Sequence, residues 1–160
     1  MFVLLLCTGC DDSKAAKTDE HGLVGAWRSH LQLQSGALAT IRDLEFMYVF
    51  NSGGTLTESS NYDAAPPVPP AYGAWRSLGQ NRYEARYEFY MTRSATPEEG
   101  IAASGGWLPA GRGVFLETIT LSADGNAFTS ELKYELFDQS GKPAAGAGSG
   151  TGSAERMTVQ

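Results

Sequence analysis

Beyond residue 10 the chain contains no cysteine; the two it has, Cys7 and Cys10, sit together at the N-terminus. The body of the protein therefore has no disulfide, thiolate nucleophile or cysteine-ligated metal. Histidine is nearly as scarce. His21 and His30 are the only two, and no His-x-x-x-His or mixed His/Asp/Glu grouping has the spacing of a metal site. No serine stands in a Gly-x-Ser-x-Gly elbow. Charged residues make up only 19% of the chain, and their balance is acidic, with a net charge of -6 and a pI near 4.8. Arg28, Arg42, Arg76, Arg82, Arg86, Arg93 and Arg112 are scattered rather than clustered. An acidic surface without a basic stripe excludes phosphate-led binding of nucleic acid. The composition calls for no cofactor.

Long hydrophobic runs are missing too. The apolar stretch Met1 to Leu6 is far shorter than the roughly 20 residues a spanning helix needs. It continues through Cys7, Thr8 and Gly9 to Cys10, with small residues before a cysteine, like the end of a secretory signal. The segment Leu6-Cys7-Thr8-Gly9-Cys10 resembles a bacterial lipobox, with Cys7 where that pattern usually has leucine. The resemblance implies a lipid on Cys10 and an envelope protein facing the periplasm or the extracellular side. Residues 11–22 are polar and lack an apolar period, so they read as a flexible tether. The expected division is a signal segment over 1–10, the tether over 11–22, and one folded domain over 23–160.

What the chain does have is glycine, 19 residues of it, and alternation. Tyr83, Ala85, Tyr87, Phe89 and Met91 alternate with a mostly charged set, the mark of a half-buried strand. The run from Phe128 to Phe137 repeats the pattern, and Leu44, Phe46, Tyr48 and Phe50 form a third strand ending at Asn51-Ser52-Gly53-Gly54. Strands are predicted near 24–33, 43–50, 54–60, 72–78, 82–92, 112–122, 127–137 and 153–159. Hardly any segment has a helical period. About eight hairpin-linked strands predict an all-β fold, a single antiparallel up-and-down barrel that closes to remove its edges. Four prolines, Pro66, Pro67, Pro69 and Pro70, read as a stiff rim loop. The Gly-rich stretch from Lys142 to Ser153 lacks the Lys-Ser/Thr pair and helix of a phosphate loop, and reads as flexible.

The pentapeptide Gly-Ala-Trp-Arg-Ser occurs at Gly25 to Ser29 and again at Gly73 to Ser77. Its flanks do not match, so it marks one local need met twice rather than a repeat module. Period two predicts that Trp27 and Trp75 both face inward. The opening Leu23-Val24-Gly25-Ala26-Trp27, the spacing from Phe50 through Gly53-Gly54 to Gly73-Ala74-Trp75-Arg76, and the run from Glu117 to Thr129 together resemble small bacterial lipocalin-like, or calycin-like, barrels. That resemblance covers most of 23–160. It implies the barrel fold and a small apolar ligand or lipid, without a known activity. The stretch from Ser94 to Arg112 is longer and richer in glycine than a simple hairpin of that family.

Candidate ligand-facing residues are Tyr48, Trp75, Tyr83, Tyr87, Phe89, Glu117, Phe128 and Tyr134, which would line or fill the interior. Glu117 is in phase with Phe115, Ile119 and Leu121. It either projects into the barrel, where a carboxylate must be paired or shift its pKa, or takes a rim position or pairs with an arginine such as Arg76 or Arg112. No catalytic residue is identifiable. Three function classes remain: a membrane-anchored barrel binding a small apolar molecule, an interaction lipoprotein with a filled core and an apolar patch around Trp107 and Leu108, and a barrel cyclase or isomerase. The last would need a polar constellation inside, for which only Glu117 offers itself.

Overall fold

The computed structural model describes residues 22–62 and 69–159. Cys10 and its lipobox, the tether apart from Gly22, and Pro66 and Pro67 lie outside the described residues. Eight strands follow one another as a closed barrel, each hydrogen-bonded to the next and the last to the first. They are β1 (Gly25–Leu33), β2 (Leu44–Phe50), β3 (Thr55–Ser60), β4 (Ala71–Gly79), β5 (Arg82–Ser94), β6 (Trp107–Leu121), β7 (Ala127–Phe137) and β8 (Pro143–Arg156). All pairings are antiparallel. The protein is thus an eight-stranded up-and-down β-barrel, consistent with the calycin-like architecture.

Alternation dictates the walls. Along β1, Trp27, Ser29, Leu31 and Leu33 are buried while Arg28, His30 and Gln32 are exposed. On β5 and β6 the buried sets are Tyr83, Ala85, Tyr87 and Phe115, Glu117, Ile119, Leu121. One core cluster occupies the interior, as expected where eight strands leave just enough room for side chains. Each large apolar side chain buried there contributes about 1.5–3 kcal/mol.

Two expectations need correction. The stretch over 142–153 is not a loop but most of β8, and the last strand is not confined to 153–159. Its glycines hide the strand signal while serving the fold. Gly148, Gly150 and Gly152 stand opposite the inward-facing Tyr134, Leu132 and Ser130 of β7, so this wall presents almost no side chain to the interior. A Cβ on Gly148 would lie 2.0 Å from the Ser35 carbonyl oxygen, and one on Gly150 would lie 2.5 Å from that of Gln32. Large aromatics from the other strands take up the space. Second, β6 begins at Trp107 rather than near residue 112, and pairs with β5 out to Ser94. The long connection between them folds into two single 3₁₀ turns, Pro97–Glu99 and Ala102–Ser104, and the hairpin accommodates its length with a bulge between Met91 and Thr92.

Both tryptophans of the doubled pentapeptide face inward, with Trp27 and Trp75 at 0% and 5% exposure. They do parallel jobs at one end of the barrel. Trp27 Nε1 donates to the Leu23 carbonyl at 2.9 Å, and Trp75 Nε1 donates to the Asn51 and Thr55 carbonyls at 3.1 Å each. Each indole therefore ties a strand to the chain crossing that end. Arg156 completes the seal: it lies over the Trp27 ring and donates to the carbonyls of Gly22, Val24 and Gly125.

Candidate functional site

Above the sealed end, polar groups interrupt the aromatic core. Glu117 is fully buried at 1% exposure, on the inward face of β6. Tyr48 from β2 and Tyr87 from β5 both donate to its Oε2, at 3.1 and 2.9 Å, and their hydroxyls lie 3.2 Å apart. Oε1 has no hydrogen-bond partner. Ser130 stands beside the same carboxyl, near enough to draw its pKa down, but its Oγ and that of buried Ser29 make no hydrogen bond of ordinary geometry. Burial pushes the Glu117 pKa up, while Ser130, Tyr87 and Tyr48 draw it back down. Burial, with the Glu117 charge next, holds both phenols well above their ordinary range.

Neither arginine proposed for Glu117 reaches it. Arg76 bonds Glu84 at 2.6 Å and Arg112 bonds Glu88 at 2.9 Å, both on the outer wall. The expectation of a rim position or an arginine pair for Glu117 is therefore corrected: tyrosines, not cations, solvate this carboxyl. The inward phase of β6 was legible. The partners were not, because they come from strands 69 and 30 residues away.

A second carboxyl lies closer to the open end. Glu58 on β3 sits beside Tyr48 in the cross-strand register and is 5% exposed, with an unpartnered Oε1. Burial, and then the neighbouring Glu117 charge, push its pKa up to about 8. Glu58 forms part of the wall of a cavity of about 190 Å³. The rest is mostly apolar: Leu38 and Ile41 from the loop after β1, Leu44 and Phe46 from β2, Phe89 from β5, and Phe115 from β6. Tyr134 fixes that loop across the mouth, donating to the Ser35 carbonyl and accepting from the Leu38 N–H, each at 2.9 Å. A wider depression of about 750 Å³ lies on the outer wall by Arg28, His30, Thr129 and Ser153, all exposed. It offers no buried unpartnered group.

The candidate ligand-facing residues thus fall into separate places. Tyr48, Tyr87 and Glu117 meet in the polar layer. Trp75, Tyr83 and Phe128 pack with Phe50 and Trp27 toward the sealed end. Tyr134 anchors the mouth loop, and Phe89 is the one candidate on the cavity wall. Reading by alternation passed over Glu58, although it lies two residues after buried Leu56 and so shares its face. Phe46, Phe115 and Ser130 follow the same alternation but were not among the candidate site residues, nor was Ser29.

Among the described residues no group of three or more His, Cys, Asp or Glu is placed to hold a metal. What the arrangement offers is a small greasy chamber with one carboxyl in its wall and a second behind it. Comparison with known protein families, with curated proteins and with solved structures returns no match.

Proposed function

We propose that this barrel is a binding module for a small, mainly apolar molecule, held at the bacterial envelope by a lipid on Cys10. The observation that carries the binding reading is Glu58 on the wall of an apolar cavity, a buried carboxyl whose Oε1 has no partner. A buried acid without a partner lowers stability, and an apolar residue there would raise it. Such costs are characteristic of positions kept for function. The cavity is smaller than the roughly 300–1,000 Å³ of common ligand pockets, so the occupant is small or projects past the mouth. Binding is favoured over catalysis because Glu58 is the only carboxyl on the cavity wall among the described residues.

Native mass spectrometry of the full chain, purified from a lipid-containing extract, tests this. A co-purifying small species is expected, lost in Ile41→Trp, which fills the mouth from its loop. Clean apo protein would favour the alternative, an interaction lipoprotein. Dense packing below the Glu117 layer supports that second reading, and Trp107 and Leu108 are half-buried. For the anchor, Cys10→Ser is expected to shift the protein from the membrane to the soluble fraction; continued membrane attachment would defeat it.

A further inference from the structure

We infer that the occupant of the mouth cavity carries a protonated amine, with an apolar body of roughly ten non-hydrogen atoms or fewer at interior packing density. This rests on the binding reading above and specifies the chemistry of its ligand.

The inference starts from charge inside the barrel. Two carboxyls, Glu58 and Glu117, are buried there, and among the described residues no lysine or arginine is. Five arginines are engaged on the outer wall or at the sealed end, Arg76 with Glu84, Arg86 and Arg112 with Glu88, Arg93 with Glu99, and Arg156 with backbone carbonyls, while Arg28, Arg42 and Arg82 are exposed and absent from the cavity wall. The charged neighbour that acts on Glu58 is Glu117 on β6, and the groups Glu58 acts on in turn are Tyr48 on β2 and Tyr87 on β5. All are neutral or negative, so none can neutralise an ionised Glu58. A positive ligand group at this carboxyl would supply the missing counterion and a hydrogen bond together.

The apolar wall agrees. Phe46, Phe89 and Phe115 are in ring contact around the chamber, with Phe115 5.6 Å from each of the other two. Aromatic faces attract a cation more strongly once water is excluded. A fatty acid is disfavoured too: its carboxylate would be buried with no cation to pair it, sharing at most the Glu58 proton. A neutral alcohol or carbonyl gains one hydrogen bond and no charge pairing.

The proton inventory gives a separate signature. Glu58, with its pKa near 8, is largely protonated at neutral pH. Pairing with an ammonium ionises it, so binding releases a proton to buffer. The released proton comes from the Glu58 carboxyl, and no covalent bond changes.

Isothermal titration of the full chain with 2-phenylethylamine, 2-phenylethanol and 3-phenylpropionate tests the idea, each run at neutral pH in two buffers of different ionisation enthalpy. The amine is expected to bind at least tenfold more tightly than the alcohol, with release of up to one proton, and the carboxylate to bind weakest. Glu58→Gln is expected to erase the amine preference while the alcohol still binds. Equal binding of amine and alcohol, or a preference for the carboxylate, would overturn the amine inference and leave the cavity reading standing. So would amine binding without proton release, which needs no variant. If none of the three binds, both readings fall.

Discussion

The guanidinium of Arg156 lies 4.2 Å above the ring of Trp27, joining the last strand to the first where the barrel closes. The same side chain donates to three backbone carbonyls that no strand pairing satisfies. Hydrogen bonds from a charged donor contribute about 1.5–3 kcal/mol each, and a cation over an indole about 0.5–2, though these terms do not add fully. Arg156→Ala is expected to cost about 2–4 kcal/mol in urea unfolding. Arg156→Lys should recover only a small part, because an ammonium cannot serve three diverging carbonyls while stacking.

Glu58 makes a pH prediction whose sign is fixed. Its pKa rises from 4.5 to about 8 on folding, so between those values the folded chain holds a proton that the unfolded chain has lost. Stability is then greatest below about 4.5 and falls as pH climbs to about 8, at up to about 1.4 kcal/mol per unit. Glu117, also raised, works in the same direction. Denaturation across this window should show a steep decline in the native chain, a shallower one in Glu58→Gln, and a nearly flat one when Glu117→Gln is added.

The paired phenols should matter most when Glu117 is charged. Tyr48→Phe removes one of two donors to Oε2 and raises the Glu117 pKa further. A loss of about 1–3 kcal/mol is expected, larger at alkaline than at acidic pH. An equal loss at both extremes would mean that the hydroxyl acts through packing alone.

The bare wall of β8 is testable by adding single methyl groups. At Gly148 a Cβ would also approach the Tyr134 hydroxyl to 2.7 Å, besides the Ser35 carbonyl. Gly148→Ala is expected to destabilise by about 1–3 kcal/mol and to loosen the mouth loop that Tyr134 holds, seen as faster amide exchange at Leu38. Thr151→Ala, on the exposed face of the same strand, should stay within about 0.5 kcal/mol of the native chain.

How much of this was legible follows from what alternation can carry. Strands β1 to β5 and β7 fell within two residues of their predicted bounds because large apolar and charged side chains alternate along them. Strand β8 escaped because its inward positions are glycines, and a pattern written in absent side chains has no hydropathy. The inward direction of Glu117 could be read from its own strand. That Tyr48 and Tyr87 converge on one of its oxygens depends on register across the ring, which no single strand encodes. Glu58 was readable by the rule that exposed Glu117, but its strand is too short to raise a strong signal.

The two sealed-end indoles divide the molecule optically. Trp27 and Trp75 sit among the closing turns, while the cavity wall is built from phenylalanine, aliphatic residues and tyrosine. With the third indole removed by Trp107→Phe, emission from this pair will follow the opening of the barrel floor and not events at the mouth. A titration that leaves their fluorescence unchanged is therefore no sign of an empty cavity.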